Sequence, residues 1–161
     1  MQSSLGSKFN RPMALNKVTR KKGPVIAKNI VYDGVALKSG LEKYMYKSLK
    51  DANIEFKYEA YTFELVPSFI FTNSCIERQS NGKGEFAERG KKKVLNLKYT
   101  PDFVGKDFII ETKGRANESF PLRWKLFKKW MIDNDDHRAL YKPQNQKDCD
   151  DVITLLKQKR K

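Results

Sequence analysis

The residues best suited to chemistry lie in the segment YTPDFVGKDFIIETKG, where two carboxylates and a lysine stand at short spacing. A strand is predicted over residues 108–113, and because side chains alternate across a strand, Glu111 and Lys113 share one face. A second strand, predicted over residues 100–104, brings Asp102 to the same edge. Two convergent carboxylates form an oxygen site suited to Mg²⁺. A lysine beside them is suited to orienting water or to offsetting charge on a phosphate.

Taken alone, the pattern of Asp followed by Glu-x-Lys favours a surface hairpin whose charged side chains are simply solvated. Two further features favour the chemical interpretation. The aspartate is framed by Pro101 and Phe103, and the apolar run of residues 108–110 ends abruptly in Glu-Thr-Lys-Gly. The sequence therefore predicts an active site at the edge where Asp102 and Glu111 emerge.

Three short motifs follow one another along the chain: Ser39-Gly40-Leu41-Glu42, Thr100-Pro101-Asp102-Phe103 and Ile110-Glu111-Thr112-Lys113-Gly114. Together they resemble the signature of the PD-(D/E)xK nuclease superfamily and, within it, the phage endonuclease I family of Holliday-junction resolvases. The resemblance covers about residues 37 to 142, with no match from about 66 to 96. It implies a Mg²⁺-dependent phosphodiester hydrolase that resolves branched DNA in bacteriophage recombination, with Mn²⁺ as a substitute metal.

The resemblance also implies a role for each site residue. Asp102 and Glu111 would hold the metal, with the Thr112 carbonyl as a further candidate ligand. Glu42 would reach a second metal or its water, and Lys113 would position the attacking water. Cleavage would leave a 5′-phosphate. In the resembling family the dimer is intertwined, so the resemblance implies a homodimer in which strands are exchanged between subunits.

Glu42 has an alternative role, because it lies at the start of a helix predicted over residues 39–52. Ser39 is a favourable N-cap, and Ser39-x-x-Glu42 is the pattern of a capping box. Spacing alone fits a carboxylate that only caps its own helix as well as it fits an active-site residue. The resemblance favours the second role, because the matching Glu belongs to the active site in that family.

The charge of the chain predicts a nucleic-acid partner. The 161 residues carry 33 Lys and Arg against 19 Asp and Glu, a formal net charge of +14. Charge of that size repels itself unless a polyanion shares it. Residues 1–32 contain seven of the cations and no acid, so we interpret residues 1–36 as an extended, partly disordered basic arm. The candidate DNA contacts are Lys21, Lys22, Lys38, Ser39, Lys91, Lys92, Lys93 and Arg115.

Cysteine and histidine usage excludes several classes of site. Cys75, Cys149 and His137 are the only residues of their types, and their spacing matches no zinc motif. No secretory signal begins the sequence, and no apolar run approaches the roughly 20 residues that span a membrane. We therefore expect that the protein has no membrane partner and that it works in a reducing cytoplasm. If a phage encodes the protein, this is the cytoplasm of the host cell.

The order of predicted elements indicates an α/β domain over residues 37–161, with a mixed central sheet flanked by helices in a restriction-endonuclease-like arrangement. A strand over residues 55–65 precedes a long insertion or hairpin at about residues 66–98. The C-terminal elements are a helix over 121–134, a strand over 137–142 and a helix over 148–159, the last capped by Asp148 with Leu155 turned inward.

Two other functions remain open from the sequence. One is a phage-borne nicking, homing or restriction-type nuclease that uses the same site on duplex DNA. The other is a nucleic-acid-binding protein that has the fold but no catalytic activity. The presence of both Glu111 and Lys113 argues against the second.

Overall fold

The computed structural model describes residues 30–114 and 119–160. These residues form three helices and twelve short strands, which confirms the predicted α/β class. The helices are α1 (Gly40–Asp51), α2 (Phe120–Asp133) and α3 (Gln146–Gln158). The strands are β1 (Ile30–Tyr32), β2 (Val35–Leu37), β3 (Lys57–Tyr58), β4 (Phe63–Val66), β5 (Phe69–Phe71), β6 (Ile76–Glu77), β7 (Ala87–Glu88), β8 (Lys92–Val94), β9 (Leu97–Tyr99), β10 (Phe103–Val104), β11 (Phe108–Ile110) and β12 (Ala139–Tyr141).

The central sheet has four strands in the order β12-β11-β10-β3. Strand β10 pairs antiparallel with β11 and with β3, whereas β11 and β12 run parallel, so the predicted mixed sheet is confirmed. The chain turns between β10 and β11 at Gly105, where a Cβ would lie 2.2 Å from the Phe108 ring. This tight turn sets the register that places Asp102 beside the end of β11.

Alternation along the two inner strands divides the core between the two faces of the sheet. Phe108 and Ile110 belong to a buried cluster with α1 and α3, where Met45 and Leu156 also lie. Ile109 points to the opposite face and joins a second cluster built on α2. The sheet is therefore covered by helices on both faces. The polar residues that flank its inner strands, Asp102 before β10 and Glu111 after β11, lie at one edge.

Helix α1 begins and ends at the residues that the sequence indicates. Ser39 is the N-cap, and its side chain accepts a hydrogen bond from the Glu42 backbone N–H. The helix is stopped by Asn53, whose φ of 51° lies in the left-handed region that Asn tolerates. The N–H of Ile54 then donates to the carbonyl of Leu49 at 3.0 Å, which returns Ile54 to the core.

The prediction of one strand over residues 55–65 is wrong, because the chain breaks at Glu59 into β3 and β4, which belong to different sheets. Glu59 has a φ of 43°, and its N–H donates to the Asp102 carbonyl at 2.9 Å instead of continuing the strand. Residues 63–99 then form a long antiparallel ribbon, in which β4 pairs with β9, β5 with β8 and β6 with β7. We call this ribbon the hairpin arm, and it confirms the predicted hairpin.

The C-terminal helix differs from its prediction at two residues. Its N-cap is Asn145 and not Asp148, because the Asn145 side chain accepts from the Asp148 N–H at 2.9 Å. Asp148 instead accepts from the backbone N–H of Gln144, the residue before the N-cap. Leu155 is 46% exposed and does not face the core, and the buried face of α3 is formed by Cys149, Val152 and Leu156.

The first described residues, from Ile30 onward, belong to the folded domain. Strands β1 and β2 form a hairpin in which Leu37 is fully buried, and Tyr32 and Val35 pack against the α1–α3 cluster. The last part of the predicted arm therefore belongs to the folded domain. Residues 1–29 lie outside the described residues. Within the described ranges, every helix is too short or too polar to cross a bilayer.

Candidate active site

The sequence-predicted site residues Glu42, Asp102, Glu111 and Lys113 line one cleft of about 450 Å³. The cleft opens at the edge of the central sheet where β10 begins and β11 ends, between the start of α1 and the start of α2. Its remaining lining is a mixture of charged, aromatic and hydroxyl side chains contributed by Lys38, Glu59, Lys98, Tyr99, Thr100, Thr112, Ser119, Phe120 and Arg123.

Asp102 is a buried carboxylate at the floor of this cleft, with 8% of its surface exposed. Its Oδ2 accepts two hydrogen bonds from Thr112, one from the backbone N at 2.7 Å and one from Oγ1 at 2.6 Å. The described residues donate no hydrogen bond to Oδ1. One oxygen of Asp102 is thus fixed by the end of the neighbouring strand, and the other remains available to a ligand in the cleft.

Glu111 is also buried, at 5% exposure, and its two oxygens have different neighbours. The Tyr99 hydroxyl donates to Oε2 at 2.8 Å. The Lys113 Nζ lies 3.6 Å from Oε1, so these two side chains share a face as predicted. The Lys113 ammonium also lies 4.8 Å from the centre of the Phe120 ring, within the range of a cation–π contact. The lysine is therefore held between a carboxylate and an aromatic ring.

Burial of both carboxylates sets the electrostatics of the cleft. It raises the pKa of Asp102 to about 8, with the negative charge of Glu111 as the second cause. Burial likewise raises the pKa of Glu111, against the Tyr99 hydrogen bond and the Lys113 charge, which lower it. The charge of Glu42 also raises the pKa of Glu111, so both buried carboxylates resist ionising in a cleft that holds other acids. A cation bound between them would relieve both costs.

Glu42 has the hydrogen bonds of a structural cap and the location of a site residue. Its Oε1 accepts from the Ser39 hydroxyl at 2.9 Å. Its Oε2 accepts from the Lys38 backbone N–H at 2.8 Å and from the Tyr58 hydroxyl at 2.6 Å. The structure therefore shows the capping role directly, while the carboxylate still faces the same cleft as Asp102.

A second test of the site is the number of potential metal ligands that lie close together. Among residues 30–114 and 119–160, no three His, Cys, Asp or Glu side chains come close enough to form a metal-binding group. Glu42 therefore does not complete a three-ligand set with Asp102 and Glu111. Two buried carboxylates with raised pKa values nevertheless suit Mg²⁺, which binds through one or two carboxylates and keeps several waters.

The predicted DNA contacts fall at different places. Lys38 lines the cleft, where its ammonium pairs with the Glu59 carboxylate, and Ser39 is occupied in capping α1. Three lysines lie on the hairpin arm and do not line the cleft. Those three are Lys91, Lys92 and Lys93; the latter two are consecutive on β8 and point to opposite faces. Lys21, Lys22 and Arg115 lie outside the described residues.

Sequence reasoning missed Lys98, Arg123 and Tyr99. Lys98 lies on β9 and Arg123 in the first turn of α2, and among the described residues neither cation has an acidic partner within ion-pair distance. The signal for Lys98 and Tyr99 was their place immediately before the Thr-Pro-Asp segment. Nothing in the sequence showed that the start of α2 would return to this cleft.

Comparison with known proteins identifies a family. A family model described as "Protein of unknown function (DUF1064)" matches residues 23–142, a range that includes every residue lining the cleft. No curated protein and no solved structure matches the chain.

Proposed function

We propose that this chain, which belongs to the DUF1064 family, is a metal-dependent DNA endonuclease of the PD-(D/E)xK type that cleaves branched DNA. The observation that carries the proposal is the buried pair Asp102 and Glu111 beside Lys113 in one cleft. A solvated surface hairpin would leave these charges in water. Burial of two adjacent carboxylates is costly, and such perturbed groups cluster at functional sites.

Mg²⁺ is the metal that this donor set favours, with Mn²⁺ as a substitute. Asp102 and Glu111 would hold it, and the Thr112 carbonyl is a further candidate ligand. Glu42 would act at the second metal or its water that the resemblance implies. When bound, the ion supplies positive charge that activates water and stabilises the phosphate being cleaved.

The reaction adds one water across a phosphodiester. The water oxygen bonds to phosphorus as the bond from phosphorus to the 3′ oxygen breaks. One water proton passes to solvent and the 3′ oxygen receives one, which gives a 5′-phosphate and a 3′-hydroxyl. Lys113 would donate a hydrogen bond to the attacking water or to a phosphate oxygen, and its charge would offset that of the transition state.

DNA is the substrate that the charge of the chain favours. Lys98 and Arg123 lie at the rim of the cleft, exposed and without an acidic partner in the described part of the chain. Cations so arranged suit the phosphates on either side of the cleaved bond. Such contacts hold the backbone without reading bases, so preference for branched DNA would come from shape.

The test compares a four-way junction with a linear duplex of the same sequence, each end-labelled, in Mg²⁺ and in EDTA. We expect Mg²⁺-dependent nicking of the junction and little cleavage of the duplex. Equal cleavage of both would favour the duplex nuclease. Tight binding without cleavage, in Mg²⁺ and in Mn²⁺, would contradict the proposal and favour a binding protein.

We also propose that the active form is a homodimer that pairs through the hairpin arm. A junction presents two equivalent strands, and a two-fold dimer supplies two sites in fixed relation. The arm supports this because it exposes Phe69, Ile70, Ile76, Phe86, Val94 and Leu95. Exposed apolar groups concentrated on one element are typical of a protein interface. A monomer by sedimentation at micromolar concentration that still cleaves junctions would contradict the dimer.

Exchange of strands between subunits is tested by mixing inactive Glu42→Ala and Lys113→Ala proteins and refolding them together. If Glu42 of one subunit completes the site of the other, a mixed dimer has one intact site, and single-strand nicking returns. If each chain builds its own cleft, both sites of the mixed dimer stay defective, and no nicking returns.

A further inference from the structure

Tyr99 is the last residue of β9, at the base of the hairpin arm, and only 6% of its surface is exposed. Its hydroxyl donates to Glu111 Oε2 at 2.8 Å, in a hydrogen bond buried at both ends. Nothing about the sequence motifs requires a tyrosine here. Tyr99 directly precedes the Thr-Pro-Asp-Phe segment. Its side chain reaches past that segment to Glu111, the residue that follows β11.

The hydrogen bond distinguishes the two oxygens of Glu111. Because Oε2 is occupied by the Tyr99 hydroxyl, Oε1 is the oxygen that faces Lys113, whose ammonium lies 3.6 Å away. Movement of the carboxylate away from Tyr99 would break the buried hydrogen bond and leave the hydroxyl unpaired, which is costly. One rotamer of Glu111 is therefore strongly favoured.

The Tyr99 ring is itself held by aromatic packing. Its centre lies 4.6 Å from that of Phe127 and 6.4 Å from that of Trp124, both on α2. Across the ribbon its register partner is Phe63, which also packs on Phe127 at 5.1 Å. Tyr99 thus connects three parts of the molecule: the base of the hairpin arm, helix α2 and the carboxylate.

We infer that Tyr99 is a positioning residue, which fixes Glu111 with Oε1 directed toward a metal ion and Lys113 in the cleft. The inference rests on the proposed nuclease function, since it assigns Glu111 to metal binding. Partners that orient a metal ligand typically affect metal affinity or activity by about 10- to 100-fold. In this inference Tyr99 acts through Glu111, to which its hydroxyl donates.

The test variant is Tyr99→Phe, which keeps the ring among Phe127 and Trp124 and removes only the hydroxyl. The control is Tyr46→Phe, because Tyr46 is equally buried but its hydroxyl donates to no carboxylate in the described part of the chain. Mn²⁺ binding is measured by calorimetry without DNA, and DNA binding is measured in EDTA. Cleavage is then measured as a function of Mg²⁺ concentration.

For Tyr99→Phe we expect metal affinity to fall by about 10- to 100-fold, with kcat reduced at moderate Mg²⁺ and DNA affinity in EDTA unchanged. Tyr46→Phe should match the wild type in all three measurements. If Tyr99→Phe also binds Mn²⁺ as the wild type does, the inference is wrong, whatever the nuclease assay gives. Failure of the wild type to cleave any DNA would contradict the proposed function, while the calorimetric comparison would still decide the role of Tyr99.

A second measurement covers the case in which Tyr99→Phe does not fold. In the wild type, a hydroxyl proton buried against Glu111 should exchange slowly enough to give a resolved proton resonance. Glu111→Gln should shift that resonance, since the acceptor changes from a carboxylate to an amide. A Tyr99 hydroxyl proton unaffected by Glu111→Gln would overturn the inference.

Discussion

Thr112 binds Asp102 twice, through its backbone N at 2.7 Å and its Oγ1 at 2.6 Å, and both bonds end on the same carboxylate oxygen. The residue between Glu111 and Lys113 in the motif is therefore the one that orients the aspartate of the preceding strand. This contact joins the two strands at the point where their polar ends meet.

Replacement of Thr112 by Val should weaken the support of the ionised Asp102. A hydrogen bond to a charged group contributes about 1.5–3 kcal/mol. In EDTA at pH 9, where Asp102 is ionised, we expect the free energy of unfolding to fall by about that amount, and by less at pH 5. Thr154→Val is the control, since it removes a hydrogen bond from an exposed threonine to a backbone carbonyl. Equal effects of the two substitutions at pH 9 would contradict this role.

Asp102 should make the stability of the metal-free protein depend on pH. Its pKa is raised to about 8 in the folded protein, against about 3.9 when unfolded. Between these values the folded state binds one more proton than the unfolded state, so stability falls as pH rises, by about 1.4 kcal/mol per pH unit. Asp102→Asn should reduce this slope in denaturant titrations from pH 4 to pH 9, and Glu111, whose pKa is also raised, should account for what remains. A slope that persists unchanged in the variant would assign it to other groups.

The role of Glu42 can be assigned by comparing two substitutions. Capping needs only an acceptor oxygen, whereas a role at a metal or its water needs the negative charge of the carboxylate. Glu42→Gln keeps an acceptor oxygen for the α1 hydrogen bonds, whereas Glu42→Ala removes them and should lower the free energy of unfolding by about 1 kcal/mol. If the carboxylate acts in cleavage, both variants should lose most of their kcat. Wild-type cleavage by a stable Glu42→Gln protein would leave Glu42 as a cap only.

The cations Lys98 and Arg123 should account for part of the salt dependence of DNA binding. Each phosphate contact contributes about 0.9 to the slope of log affinity against log salt on duplex DNA. The double variant Lys98→Gln, Arg123→Gln should therefore reduce the slope by about two in that measure. The matched control replaces Lys47 and Lys147, which are exposed on α1 and α3 outside the cleft. A slope reduced equally by both pairs would mean that the effect is only one of net charge.

The basic N-terminal region makes a separate contribution that the same titration can measure. Deletion of residues 1–28 removes seven cations, and we expect only some of them to contact phosphate. The slope of log DNA affinity against log salt concentration should fall by roughly two to five. An unchanged slope would show that these residues do not contact DNA.

Local signals made part of the structure predictable. Ser39 and Asn53 mark the ends of α1 because capping and left-handed backbone depend on neighbouring residues alone. The same holds for the turn at Gly105, which brings Asp102 and Glu111 to one edge. Alternation then predicts that Lys113 shares a face with Glu111, and their 3.6 Å separation confirms it.

Features fixed by distant parts of the chain were not predictable in this way. The alternating pattern of residues 55–65 indicated one strand, but the left-handed backbone of Glu59 depends on its bond to Asp102, 43 residues later in the numbering. The support of Glu111 by Tyr99 and the approach of Arg123 to the cleft require the packing of α2. A short sequence motif can identify the two carboxylates, whereas the residues that hold them in place are brought there by the tertiary structure.

The measurement that tests the central claim most directly is cleavage of a labelled four-way junction by Lys113→Ala in Mg²⁺, with binding to the same junction measured in EDTA. Lys106→Ala is the control, since Lys106 lies in the exposed turn between β10 and β11 and does not line the cleft. We expect Lys106→Ala to cleave as the wild type does, and Lys113→Ala to bind the junction normally without cleaving it. Cleavage by Lys113→Ala at the wild-type rate would contradict the assignment of this cleft as a nuclease active site.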